Sequence, residues 1–224
     1  MKLAVIFDMD GVLVDSFEAH RVAWMAMFQA EKIDFDPAQF TAVFGRTSRE
    51  IIALLCGPGR YTDAQVKALD DQRECAYRDA IRGTFPAMPG ARELITALSR
   101  DGFALALGSS GPPENAELVL EALGVRDLFD AVVTGRDVRK GKPDPEVFIT
   151  AASRLGIAPN LCAVIEDAPA GIAAAIAGGM LGIGLASTGR THQDLEQARV
   201  VVDSLFELSP ASIRQLLSPR HALG

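Results

Sequence analysis

The sequence predicts an α/β protein, a doubly wound parallel sheet with an α-helical unit inserted after the first strand, and three observations carry this expectation. The run Leu3-Ala4-Val5-Ile6-Phe7 is apolar without alternation, as in a strand covered on both faces. From Phe103 onward, short apolar runs alternate with amphipathic stretches in repeated strand-helix units. Between about Ser16 and Thr84, in contrast, apolar residues such as Val22, Met25, Met27 and Phe28, or Ile51, Ile52, Leu54 and Leu55, recur at helical spacing with no strand between them.

In chain order, the first strand is followed by this helical insertion, which closes near Phe85-Pro86-Ala87-Met88-Pro89-Gly90, where two prolines and a glycine make a return hinge. A helix over Ala91 to Arg100 leads into a strand over Phe103 to Leu107 and a helix over Glu114 to Leu123. The pattern continues with a strand at Ala131 to Val133, a helix at Pro145 to Leu155, a strand at Leu161 to Ile165 and a helix at Ala168 to Ala177. Strands at Leu181 to Leu185 and Val200 to Val202 flank a short helix at Asp194 to Ala198, and a closing helix falls near Pro210 to Leu217. Gly124, Gly156 and Gly178-Gly179 stand where helices end, the position that favours a residue without a side chain. Pro219 to Gly224 read as a loose tail.

Composition narrows the function. A hydrophobic fraction of 49% with only 6% aromatics describes the aliphatic interior of an α/β core. A net charge of −7 offers no cationic face to replace phosphate counterions, so no nucleic-acid partner is expected. No apolar run approaches the ~20 residues that span a bilayer, and a strand directly after Met1-Lys2 leaves no room for a secretory signal, so a cytoplasmic protein with no membrane partner is expected. Cys56, Cys75 and Cys162 are too widely spaced for a disulfide framework, and His20, His192 and His221 too scattered for a histidine metal site.

Chemistry concentrates at predicted strand ends. Asp8-Met9-Asp10-Gly11 sets two carboxylates two residues apart where the first strand runs out, and ligands of such sheets bind at the carboxyl edge. Two like charges in a crevice are costly without a cation, a shared proton or a cationic substrate. Gly108-Ser109-Ser110 brings hydroxyls and free amides, Gly141-Lys142-Pro143 a cation on a stiff loop, and Glu166-Asp167 two further carboxylates. Taken singly, Ser109 reads as a helix cap, Lys142 as a solvated side chain and Glu166-Asp167 as a capping pair. In this order, each at a strand end or the loop after one, they supply a carboxylate nucleophile, oxygen ligands for a hard cation and donors for a transferring phosphoryl group. Other motifs fail: Gly135 to Lys142 lacks the spacing and hydroxyl of a phosphate-binding loop, and Gly182-Ile183-Gly184 followed by Ser187 misses the dinucleotide fingerprint.

With these four motifs the chain resembles the haloacid dehalogenase superfamily of aspartyl phosphotransferases, over nearly its whole length. The resemblance implies a Rossmann-like catalytic core over 1–15 and 86–224 with a helical cap over 16–85. It implies that Asp8 attacks phosphorus, that Asp10 serves as acid and base, and that Mg2+ binds Asp8, the Asp10 carbonyl and Asp167, with Glu166 a further ligand. Met9, Ser109, Ser110 and Lys142 would hold the phosphoryl oxygens. His20, Trp24 and Arg49 resemble the cap of beta-phosphoglucomutases, and Arg73 stands near a mutase lysine, although Trp24 also reads as plain cap core and Arg49 as a solvated residue at a helix start. Mutases carry a Ser-Lys-Asn run after the second motif, where this chain has Gly111-Pro112-Pro113, so the distal phosphate grip is incomplete.

The resulting expectation is a Mg2+-dependent phosphatase of small phosphorylated metabolites, sugar phosphates foremost, with a phosphosugar mutase as the alternative and a monomer or weak dimer as the assembly. A receiver-like signalling module phosphorylated on Asp is the alternative from another class. Receivers carry the acceptor on a mid-chain strand, whereas here the candidate nucleophile lies on the first.

Overall fold

The computed structural model describes residues 2–33, 36, 47–187 and 189–218. The tail 219–224 with His221, and residues 34–35 and 37–46 of the helical insertion, lie outside the described residues. The chain divides into two compact units, one made of Met1–Asp15 with Ala87–Gly224 and the other of Ser16–Pro86.

The first unit is a parallel sheet of β1 (Ala4–Phe7), β2 (Ala104–Gly108), β3 (Ala131–Val133), β4 (Cys162–Glu166), β5 (Leu181–Leu185) and β6 (Val200–Val202), ordered β3-β2-β1-β4-β5-β6. Every side chain of β1 is buried, which is why that run shows no polar alternation. Phe7 pairs in register with Leu107 on one side and Ile165 on the other, so the residues following all three strands emerge at the same edge. Strand order reverses between β1 and β4, and this reversal opens a crevice at the carboxyl edge.

Helices cover both faces. In α4 (Ala91–Arg100), Ala91, Leu94, Ile95 and Leu98 recur at intervals of a helical turn and are buried together. Pro113 opens α5 (Pro113–Leu123), and Gly124, in the left-handed region at φ 66°, ends it. On the opposite face Val147, Phe148, Ala151 and Ala152 of α6 (Glu146–Leu155) and Ala174 and Ala175 of α7 (Pro169–Ala177) pack with Ile6, Ala104, Ala106 and Val164. The small alanines let helix and sheet approach closely, which accounts for the aliphatic composition. α8 (Pro210–Leu217) closes the described chain behind a capping box built by Ser209 and Ser212.

The expected helix at Asp194–Ala198 is not formed. Thr191 and Asp194 bond to each other's backbone amides, and successive contacts from Asp194 to Ala198 reach back three residues, giving a run of turns. Leu195 is buried against Gly184, and Arg199 N–H is already bound to Gly182 O, so the segment is too short to propagate a helix. Strands β2 and β4 sit one residue later than their apolar runs suggest, because Gly108 and Glu166 still pair although neither is apolar in character. The return hinge is a paired feature: Met88 N–H donates to Leu13 O at 3.0 Å, and Ala87 bridges Val14.

The second unit holds α1 (Phe17–Ala30), α2 (Ser48–Cys56) and α3 (Asp63–Gly83), with no strand among its described residues. Capping boxes Thr47/Glu50 and Thr62/Gln65 start α2 and α3. Trp24, Met27, Phe28, Ile51, Ile52 and Leu69 form its core. Among the described residues, no helix is long and apolar enough to cross a membrane.

Candidate active site

β1 delivers Asp8 to the carboxyl edge beside β4, where its N–H donates to Ile165 O at 3.0 Å. The chain then folds back on itself. Met9 O accepts from Val12, Leu13 and Val14 N–H groups, and Gly11 takes φ 72°, a left-handed conformation that favours glycine. A Cβ at Gly11 would lie 2.2 Å from Asp167 Oδ2, so the bare Cα is the surface against which that carboxylate rests. Asp10, half-buried, bridges to Val14 within the same turn.

Lys142 arrives on the loop before α6. Glu146 at the start of that helix accepts from Arg139 and Lys140 N–H groups at 3.0 and 2.9 Å and so holds the loop in place. The ammonium lies 2.6 Å from both Asp8 Oδ1 and Glu166 Oε1, and 4.8 Å from the Phe148 ring centroid. The second oxygen of Glu166 accepts from Ala168 N–H at 2.6 Å, just ahead of α7. Glu166 therefore ties down the residue that leads into α7 and orients the lysine at once. Both its oxygens are engaged, whereas Asp8 Oδ2 and the Asp167 carboxylate have no hydrogen-bond partner among the described residues.

Electrostatics at this point are tight. Burial pushes the Asp8 carboxyl up to about 7, Glu166 and Asp10 add like-charge repulsion, and Lys142 works in the opposite direction. Burial alone would lower the Lys142 ammonium, but Asp8 and Glu166 outweigh it and hold the group above its usual range. Asp167 is raised well above the ordinary carboxylate range by burial and by Glu166 and Asp8, with Arg190 and Lys142 opposing. One lysine does not neutralise this many acids. Oxygens of Asp8, Glu166 and Asp167 lie within 4.8 Å of one another, and an all-carboxylate set that is crowded, buried and short of positive charge fits a hard divalent cation such as Mg2+.

Ser109 lies at the neighbouring strand end, two residues beyond Leu107, the register partner of Phe7. It is buried, its N–H donates to Val133 O at 3.0 Å, and its Oγ accepts from Gly111 N–H at 3.0 Å, leaving the hydroxyl proton to donate elsewhere. It does not cap α5, whose N-cap is Pro112. Ser110 is exposed in the same turn, and Gly135 packs against its carbonyl. Buried Met9 completes the group at this edge. Asp8, Lys142, Glu166 and Asp167 are thus in mutual reach, with Asp10, Ser109 and Ser110 on adjoining turns. Ser187 and Arg190, neither of which the sequence assigns to a site, also approach: Ser187 Oγ donates to Gly11 O at 2.7 Å, and Arg190 acts electrostatically on Asp167.

The three candidates in the helical unit have partners within that unit. Arg49 is exposed and pairs with Asp63 at 2.7 Å. Arg73 is buried, bonded to Asp70 at 2.7 Å and to Glu74, 3.2 Å from His20 Nδ1, and stacked over Trp24 at 4.9 Å. His20 lies flat on Tyr77, centroids 4.0 Å apart. Trp24 belongs to the core of this unit.

Comparison with known proteins agrees with this geometry. Residues 3–179 match the model of the haloacid dehalogenase-like hydrolases. Validoxylamine A 7'-phosphate phosphatase from Streptomyces hygroscopicus subsp. limoneus is 33% identical over 216 residues, covering 93% of this chain and 96% of that protein. Beta-phosphoglucomutase from Bacillus subtilis is 36% identical over 188 residues, covering 81% of this chain and 82% of that protein. Among solved structures, beta-phosphoglucomutase from Clostridium difficile superposes with a TM-score of 0.85 at 27% identity, over 97% of each chain.

Proposed function

Because the chain belongs to the haloacid dehalogenase-like hydrolases, we propose that it is a Mg2+-dependent phosphatase of small phosphorylated metabolites, sugar phosphates foremost, acting through an aspartyl phosphate on Asp8. The observation that carries this reading is the buried Asp8–Lys142–Glu166 chain beside Asp167, at the reversal point of a parallel sheet. Asp8 attacks phosphorus in line. Asp10, on the next turn, protonates the departing ester oxygen and then takes a proton from the water that opens the acyl phosphate. Lys142 stays protonated and, with Ser109 and the amides near Met9, Asp10 and Ser110, steadies charge as it spreads over the phosphoryl oxygens. Asp8, the Asp10 carbonyl and Asp167 would hold Mg2+, which supplies charge neutralisation to the acids and to the phosphate. Glu166 accepts one hydrogen bond on each oxygen, which aims Lys142 and still leaves a lone pair on either oxygen for the cation. Substrate choice we assign to the helical unit as a cap, Ser16–Pro86.

The phosphosugar mutase remains the second reading, favoured by the 36% identity to the Bacillus subtilis enzyme. Against it stands Gly111-Pro112-Pro113, which offers no side-chain donor for a second phosphate and in part begins α5. One assay decides between them. With Mg2+, the protein is expected to release inorganic phosphate from a panel of sugar phosphates, and EDTA to lower that rate at least ~100-fold until Mg2+ is returned. Indifference to chelation rejects the metal-dependent mechanism. Efficient conversion of beta-glucose 1-phosphate to glucose 6-phosphate, primed by glucose 1,6-bisphosphate, establishes the mutase.

A glycine probes the lysine's support. A Cβ on Gly171, in the first turn of α7, would lie 1.8 Å from Glu166 Oε1, and Glu166 is too buried and too firmly bonded to swing aside. The clash is relieved only by moving the first turn of α7 or by dragging Glu166 together with its lysine, so Gly171→Ala is expected to be less stable than the parent and, where folded, to lose about 100-fold in turnover as Lys142 is displaced. Parent-like turnover of the folded variant would show that Glu166 does not aim the lysine.

A further inference from the structure

We propose that Ser187 is a positioning residue: by holding the Gly11 carbonyl it fixes the turn against which Asp167 rests, and so sets how well the acidic cluster grips a divalent cation. This rests on the metal-dependent reading above. Ser187 follows β5, 176 residues away in sequence from Gly11, and its hydroxyl donates to Gly11 O at 2.7 Å in a buried setting. Its own backbone is fully committed, N–H to Leu185 O at 2.8 Å and carbonyl to Arg190 N–H at 2.9 Å, while the preceding Ala186 N–H is tied to Val202 O of β6 at 2.8 Å. The serine is consequently a rigid post anchored to two strands, and its hydroxyl is the one group it extends toward the site.

At the other end, Gly11 has no side chain to steady it and sits at φ 72°. Its peptide groups are fastened on both sides, N–H to Val14 O at 2.9 Å and C=O to Ser187 Oγ. Removing the hydroxyl frees the carbonyl side only. A buried acceptor without a donor turns toward any available proton or cation, and the Cα surface beneath Asp167 Oδ2 shifts with it. Asp10, which shares a peptide with Gly11, moves as well. Losing this bond lowers stability but does not unfold the sheet, since β1 is paired in full on both sides whatever the turn does.

The test uses Mn2+ as the probe, its binding to the full-length protein followed by electron paramagnetic resonance without substrate. Ser187→Ala is expected to stay folded with a modestly lower melting temperature and to bind Mn2+ about five- to tenfold more weakly, the change that one neutral hydrogen bond commands. Ser187→Cys keeps the volume with a weaker donor and is expected to fall between the two. A folded Ser187→Ala with parent affinity overturns the proposal while leaving the phosphatase reading intact. Absence of Mn2+ binding by the parent itself overturns both. Failure of both variants to fold also overturns it, since the hydroxyl would then be holding the fold rather than the site.

Discussion

Asp8→Asn is expected to fold and to turn over at least ~10⁴-fold more slowly than the parent on p-nitrophenyl phosphate, because an amide in place of the attacking carboxylate cannot form the acyl phosphate. Stability should move the other way. Asp8 is raised from 3.8 toward about 7 by burial and by its acidic neighbours, so in the metal-free protein its ionisation opposes folding. The favourable contribution is complete below the unfolded value and is lost as pH climbs through the folded one, a window from about 4 to about 7. The Asn variant lacks this titration. Its melting temperature in EDTA should therefore exceed the parent's at neutral pH and vary less with pH across that window, as thermal denaturation at several pH values will report. Retention of near-parent turnover would remove Asp8 from the mechanism.

Lys142→Met has the second large effect, and here stability and catalysis fall together. The ammonium is the shared counter-ion of Asp8 and Glu166, each at 2.6 Å, and all three side chains are nearly enclosed. Removing it strands two carboxylates in a poorly solvated place, a loss of about 3–5 kcal/mol by analogy with other broken buried pairs. Catalysis should drop at least ~100-fold as a preorganised positive charge near the phosphoryl oxygens disappears. Denaturant unfolding in EDTA will measure the first and phosphate release the second. Added Mg2+ should restore part of the stability by neutralising the same acids, whereas turnover should stay low. A variant as stable as the parent would mean that the lysine is not the counter-ion of this cluster.

Much of this arrangement is legible in the sequence because each reacting group stands where an apolar run stops. Leu3 to Phe7 announces a buried strand and Asp8 follows at once; the same logic places Ser109 after β2 and Glu166-Asp167 at the end of β4. A parallel sheet then gathers these ends on one edge without further instruction. What stayed hidden depends on partners distant in sequence. Nothing local distinguishes Lys142 spanning two acids from a solvated lysine, and nothing local ties Ser187 to Gly11. The same holds for Arg73, whose neighbours Asp70 and Glu74 were visible but whose burial over Trp24 was not. The failed helix at Asp194–Ala198 has the opposite cause: the short polar residues Thr191 and Asp194 satisfy their own amides locally, which hydropathy patterning cannot register.

The central place of β1 also bears on how the chain comes together during its synthesis. β1 precedes both of its partners in the sequence: among the described residues, one flank is paired with Ala104–Gly108 and the other with Cys162–Glu166. A nascent or truncated chain ending before Cys162 leaves a fully apolar strand with an open flank, the kind of surface on which polypeptides aggregate.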